Sequence, residues 1–277
     1  MEDKEKLQEQ LNQEMAEVWE NSSCSGSCST CSGGCSDERA PRQAKRAYAV
    51  VSGKGGTGKS LITVLLALTL QRRGLTVGIL DADVAGATIP RLLGDRGQIG
   101  SEGELMIPHS TADGLRVISM DLIADNPADP IIWSGADTSN IAALFWNGVD
   151  WGQPDCLLID MPSGFGDIPI QLFTTLPLDG VIAVAAPGET AALSVGKMLS
   201  LCNMLLLPVV GFVENMAFPS GGDAAELYSL PEDIVKITLP YDPSLSRLGD
   251  KGALREAPPD LLAPLADRIA EEIRGAE

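Results

Sequence analysis

The sequence predicts an α/β fold, a three-layer domain on a mostly parallel sheet preceded by a cysteine-rich N-terminal tail. Three observations predict it. Beyond Lys45, short apolar runs alternate with segments of helical periodicity, the pattern of repeated strand–helix–strand units. The runs are apolar at nearly every position, which suits strands buried on both faces rather than the one-sided strands of an antiparallel sheet. From Asn21 to Ala44 the composition turns to Ser, Gly and Cys, then to charges and Pro41, with almost nothing to bury. The expected division is therefore a tail over residues 1–44 and a single domain over 45–277.

Residues 1–20 place Leu7, Leu11, Met15 and Val18 on one helical stripe, so a short amphipathic helix is expected there. The linker that follows holds Cys24, Cys28, Cys31 and Cys35. The domain opens with the strand AYAVVS, a glycine loop and a helix from about Lys59 to Arg73. Further strands are TVGILD ending at Asp81, LRVISM ending at Met120, CLLID ending at Asp160, GVIAVAA ending at Ala186 and PVVGFVEN ending at Asn215. Helices are expected between them at Ser139 to Asn147, Ile168 to Leu176 and Ala191 to Leu206, joined to the strands by right-handed crossovers. Leu262, Leu265, Ile269 and Ile273 recur at helical spacing, so a closing helix is expected over Asp260 to Arg274.

Charge narrows the function classes. The 277 residues carry 20 Lys and Arg against 38 Asp and Glu, a formal charge of −18. A bulk electrostatic hold on nucleic acid or anionic lipid is therefore not expected. The most apolar run, Leu61 to Leu70, falls far short of the ~20 residues that span a bilayer. The N-terminus, MEDKEKLQEQ, has neither the basic start nor the apolar stretch of a secretory signal. A cytoplasmic protein is expected, binding neither nucleic acid nor membrane.

Gly53-Lys54-Gly55-Gly56-Thr57-Gly58-Lys59-Ser60 satisfies G-x-x-x-x-G-K-[ST] between a predicted strand and a predicted helix, the context the motif requires. Such glycines let the backbone wrap until successive N–H groups face phosphate oxygens, and the helix N-terminus adds partial positive charge. A P-loop NTPase domain that binds ATP and Mg²⁺ follows. Lys59 is expected on the β- and γ-phosphates and Ser60 Oγ on Mg²⁺. Phosphoryl transfer also needs carboxylates at strand ends. Asp160 is the candidate for the metal, acting through water; Asp83 is the candidate for positioning the attacking water, and Asp81 for a switch residue near the metal.

The additional lysine of GKGGTGKS, Lys54, marks a deviant Walker A motif, as in the MinD/ParA-related group. Within that group the chain resembles the Mrp/ApbC-type iron–sulfur carrier ATPases. The resemblance is carried by GKGGTGKS, DADVAGATIPRLLG from Asp81, DWGQPDCLLIDMPSGFGD from Asp150, LPLDGVIAVAAPGETA from Leu176, GFVENM from Gly211 and LPYDPSLSRLGDKG from Leu239. It implies a homodimer in which Lys54 reaches the nucleotide of the opposite subunit and Asn215 contacts the adenine. It also implies that ATP state controls the handling of a cluster passed to a recipient apo-metalloprotein. Three blocks depart from the family pattern. The CxxC that usually follows VENM is absent from Met216-Ala-Phe-Pro-Ser-Gly-Gly-Asp223; DxPPGTGD becomes DMPSGFGD, ending at Asp167; and WRGP becomes Trp133-Ser-Gly-Ala136.

Cys24-x3-Cys28-x2-Cys31-x3-Cys35 offers four thiolates, enough for a [4Fe-4S] cluster or a tetrahedral zinc ion. Redox-active or unliganded thiols are the remaining alternative. Cys156 and Cys202 lie in apolar segments and are expected in the core. His109, the single histidine, falls in a predicted loop and is expected at the surface. The leading function is an ATP-hydrolysing iron–sulfur cluster carrier or scaffold. Its rivals are an ATPase that inserts another metal, such as nickel, into a specific metalloenzyme, and a MinD- or ParA-like positioning ATPase.

Overall fold

The computed structural model describes residues 40–103, 105–123, 142–164, 166–218, 230 and 234–275. The predicted helix over residues 1–20, the four tail cysteines and the Trp133 to Ala136 block lie outside the described residues.

The strands are β1 (Arg46–Val51), β2 (Val77–Asp81), β3 (Gly100–Glu102), β4 (Leu105–Ile107), β5 (His109–Ser110), β6 (Arg116–Ile118), β7 (Cys156–Asp160), β8 (Gly180–Ala185), β9 (Val209–Ala217) and β10 (Val235–Pro240). The helices are α1 (Lys59–Arg72), α2 (Ile89–Leu93), α3 (Asp167–Thr175), α4 (Glu189–Met204), α5 (Pro243–Asp250) and α6 (Ala263–Arg274); residues 142–147 are also helical. Eight strands form one sheet in the order β10-β9-β8-β1-β7-β2-β6-β5. It is parallel except where β5 pairs antiparallel with β6. β3 and β4 form a separate antiparallel pair.

β1 shows why the strands had to be apolar throughout. Ala47, Ala49 and Val51 point into one apolar cluster, with Leu172 and Phe173 of α3, Val195 and Met198 of α4, and Phe145 and Trp146. Tyr48 and Val50 point into the other, with Ile62 and Leu66 of α1 and Leu265 and Ile269 of α6. Side chains alternate along a strand, so a sheet covered on both faces needs apolar residues at odd and even positions alike. Cys156 divides to the α1 face and Cys202 to the α4 face, both fully buried, as expected. The indoles of Trp146 and Trp151 are also buried, and their N–H groups donate to the carbonyls of Pro41 and Phe145.

All six expected strands form, with ends displaced by one or two residues. α4 ends at Met204 instead of Leu206, because Leu206 turns to a φ of +54° and Pro208 follows. β10 was not anticipated. As an edge strand it alternates half-buried and exposed residues, so its sequence, VKITLP, lacks the continuous apolar character that marked the others. β3, β4 and β5 are too short to carry a pattern. Their formation corrects the reading of His109. It lies in β5, its side chain is only 15% exposed, and Nε2 is 2.8 Å from the Asp95 carboxylate, because the loop after α2 folds back over β5. No helix among the described residues is long and apolar enough to cross a membrane.

Gly94 closes α2 at a φ of +67°, and a Cβ there would sit 2.2 Å from the carbonyl oxygen of Gly252. Gly74 has a similar φ of +82° but open space around it. Urea unfolding of Gly74→Ala should show a loss of about 1 kcal/mol from the backbone conformation alone. Gly94→Ala should lose roughly 2–3 kcal/mol, since a backbone collision is added.

Candidate active site

The carboxyl ends of parallel strands leave a crevice where loops gather, and the glycine loop occupies it between β1 and α1. Gly58 stands at the N-cap of α1 with a φ of +83° and no side-chain cap, so the first amides of the helix are open to an anion. Gly53 is a glycine for another reason: a Cβ there would fall 2.6 Å from the backbone of Ser194 in α4. Gly164 N donates to Ser52 O and Ser52 Oγ to Lys54 O, which joins the DMPSGFGD segment to the loop. Lys54 itself is exposed.

Beneath the loop lies a buried cluster of charge. Lys59 is 6% exposed, with Nζ 2.9 Å from Asp160 Oδ2 and 4.0 Å from Asp83 Oδ2. Asp160 is fully buried at the end of β7; Ser60 Oγ donates to its Oδ2 at 2.6 Å and Thr63 Oγ1 to its Oδ1 at 2.8 Å. Asp81 is the register partner of Asp160 on the adjacent strand. Its Oδ2 accepts from Ser119 Oγ and from the amides of Thr88 and Ile89, whereas its Oδ1 is buried without a partner among the described residues. Burial first, and then the Asp160 carboxylate, push the Asp81 carboxyl well above its ordinary range, against the opposing pull of Lys59. Burial also raises Asp83. Asn215, at the carboxyl end of β9, is buried, and its Nδ2 donates to the Thr57 carbonyl at 2.9 Å.

The structure thus brings together Lys59, Ser60, Asp81, Asp83 and Asp160, and sets Asn215 against the loop. Three carboxylates lie around one ammonium, so the cluster carries surplus negative charge that an added cation would offset, although among the described residues no three acidic, histidine or cysteine side chains stand together as a ready metal site. Ser60 Oγ, Asp160 and the unpartnered Asp81 Oδ1 are the oxygens that would meet such a cation. Two residues were missed. Thr63 lies three positions after Ser60, on the same helical face, and that spacing was the available signal. Ser119 was placed at a strand end without a role; nothing in its surroundings in sequence marks it. A surface cavity of about 630 Å³ lined by Arg91, Arg96, Met106 and Leu122, among others, shares no residue with this cluster.

Thr63→Val keeps the shape of the side chain but removes a donor to a buried carboxylate. Its unfolding free energy should fall by about 1–3 kcal/mol. Thr69→Val, whose hydroxyl bonds only Leu65 O in its own helix, should lose less than about 1 kcal/mol. Equal losses in chemical denaturation would remove Thr63 from the support of Asp160.

Comparison with known proteins agrees with this geometry. Residues 43–230 match the ParA-type family described as NUBPL iron-transfer P-loop NTPase. An iron-sulfur cluster carrier protein of Methanococcus maripaludis is 42% identical over 174 residues, 62% of this chain and 60% of that protein; the match therefore spans under two thirds of that relative. One of Saccharolobus solfataricus is 32% identical over 225 residues, 76% of each. Among solved structures, a nucleotide-binding protein from Archaeoglobus fulgidus in complex with ADP superposes with a TM-score of 0.66 at 32% identity, covering 79% of this chain and 91% of that one. A family match running from just before β1 to beyond β9 takes in the whole buried cluster, and on it the chain belongs to the NUBPL iron-transfer P-loop NTPases.

Proposed function

We propose that the chain is an ATP-hydrolysing carrier of an iron–sulfur cluster, which it holds on the tail cysteines and passes to a recipient apo-metalloprotein. The observation that carries the ATPase half is the buried Lys59–Asp160 pair beneath the glycine loop. The carrier half draws on relatives named iron-sulfur cluster carrier proteins and on where the thiols lie. Burial pushes the Cys202 thiol up to about 12 and the Cys156 thiol further still, which disfavours the thiolate that a metal needs. Cys24, Cys28, Cys31 and Cys35 are then the ligand source, most simply for a [4Fe-4S] cluster.

The division of labour in the site follows from charge. Bound Mg²⁺ would be held by Ser60 and Asp160 with Asp81 nearby, and would supply neutralisation of phosphate charge. Lys59 exchanges Asp160 for the β- and γ-phosphates. Asp83, the most accessible of the three carboxylates, orients the attacking water. On this reading Lys54 acts across a homodimer and Asn215 contacts the adenine. On the same reading the protein works in the cytoplasm; its charge of −18 opposes a DNA-bound positioning role. The ATPase body is read as residues 45–277; Ala40 N donates to Thr175 O, and Arg42 pairs with Asp179 at 2.9 Å, which supports including residues from about 40 in it.

Lys59→Ala should abolish tight ATP binding, because the phosphates lose their main close cation. Lys54→Ala should bind ATP yet lose hydrolysis or ATP-dependent dimerisation, and Asp83→Ala should bind but turn over slowly. Equilibrium binding with steady-state phosphate release checks all three; equal loss of binding in both lysine variants would overturn their separate roles.

A chain beginning at Ala40 should fold and bind ATP while its metal content falls to background, and Cys28→Ser with Cys31→Ser should do the same. Iron and acid-labile sulfide measured after anaerobic purification decide the cargo. Nickel or zinc without sulfide would favour the metal-insertion reading, and a cluster retained by the shortened chain would refute the tail as its holder.

A further inference from the structure

Asn215 has a contact that base recognition does not require. Its Nδ2 donates to the carbonyl of Thr57 inside the glycine loop, across the width of β8, at 2.9 Å. The fit is close: a Cβ on Gly58 would lie 2.3 Å from that nitrogen. Gly58 therefore leaves the space through which the amide reaches the loop. Thr57 is itself buried, and its own hydroxyl has no partner among the described residues. At Met216, the next residue of β9, the chain takes a φ of +61°, a conformation that a non-glycine residue holds only when its surroundings fix it.

An amide side chain has two N–H donors and one carbonyl acceptor. One N–H is committed to Thr57. The second N–H and Oδ1 are left, a donor and an acceptor that the polar edge of a purine base could meet. The two contacts use different hydrogens and need not compete.

We infer that Asn215 is a positioning residue of the phosphate loop, holding Thr57 and Gly58 in the phosphate-binding conformation whether or not a base is bound. Contact with a base at the end of β9 is thereby passed to the loop that grips the triphosphate. The inference rests on the reading of this loop as an ATP site.

The experiment compares ATP with inorganic tripolyphosphate, which has no base, on the full-length protein and on Asn215→Ala. Loss of the buried neutral hydrogen bond to the loop should weaken tripolyphosphate by about five- to tenfold, and ATP by at least as much because its base contact goes too. Amide exchange over residues 53–60 of the ligand-free variant should quicken more than in the rest of the sheet while the thermal midpoint falls by no more than about 5 °C, a local change that a purely structural residue would not give. Asn215→Asp, which keeps the shape but turns a carboxylate toward a carbonyl, should weaken tripolyphosphate further. A loss confined to ATP, with tripolyphosphate and loop exchange unchanged, would overturn the inference and leave a base contact only. No change with either ligand would overturn it too, as would faster exchange spread evenly through the sheet with a large fall in thermal midpoint. Should Asn215→Ala fail to fold, Asn215→Asp decides by the same readouts. If the wild-type chain binds neither ligand, it is the ATP reading that fails, and loop exchange alone decides the role of Asn215.

Discussion

Lys59 and Asp160 form an ion pair almost wholly removed from water, and much of the molecule is arranged so that this pair can exist. Burying two charges costs several kcal/mol for each ion unless the remaining polar atoms are satisfied. Here Ser60 and Thr63 supply one hydrogen bond to each carboxylate oxygen, and α1 places all three donors on one turn. The carboxylate arrives from β7, whose register sets Asp160 beside Val50 of β1 on one side and Asp81 of β2 on the other. A single residue slip against β1 would take the charge away from the donors on α1, and one against β2 would part it from Asp81. The pair thus depends on the central strands being in register, which in turn depends on the two apolar layers that clamp them.

The crowding of carboxylates has a chemical use. Asp81 and Asp160 end adjacent strands at the same level, so Asp81 is costly to ionise, first through desolvation and then through the Asp160 carboxylate beside it. One ammonium offsets part of this. Cation charge brought in with a nucleotide would offset the rest and free Lys59 for phosphate. Asp81 meanwhile ties the cluster to its surroundings, since its other oxygen holds the start of α2 through Thr88 and Ile89 and the end of β6 through Ser119. A change of charge within the cluster is therefore felt directly by both elements.

The two ends of β1 have different tasks. Its carboxyl end feeds the phosphate loop. Its amino end receives residues 40–46, which are fixed by the pairing of Arg42 and Arg46 with Asp179 and by the bond from the Trp146 indole to Pro41. Composition alone gives residues 40–44 little that marks them as part of a packed body. Their anchoring partners lie more than a hundred residues away in sequence, and only the closed sheet brings those partners alongside.

Some features could be read directly from the order of the residues. The glycine loop, the strands that cross the buried middle of the sheet and the core positions of Cys156 and Cys202 all follow from local patterns: glycine spacing, continuous apolar runs and helical periodicity. Such signals are strong where burial is two-sided, because every position of the segment is constrained. The edge strand β10, the burial of His109 against Asp95, the support of Asp160 by Thr63, the bond of Ser119 to Asp81 and the reach of Asn215 to Thr57 were decided by tertiary structure. Each joins residues from elements that are distant in sequence or constrained on one side only, and a polar residue's partner is chosen by which strand ends the packed sheet brings within hydrogen-bond distance.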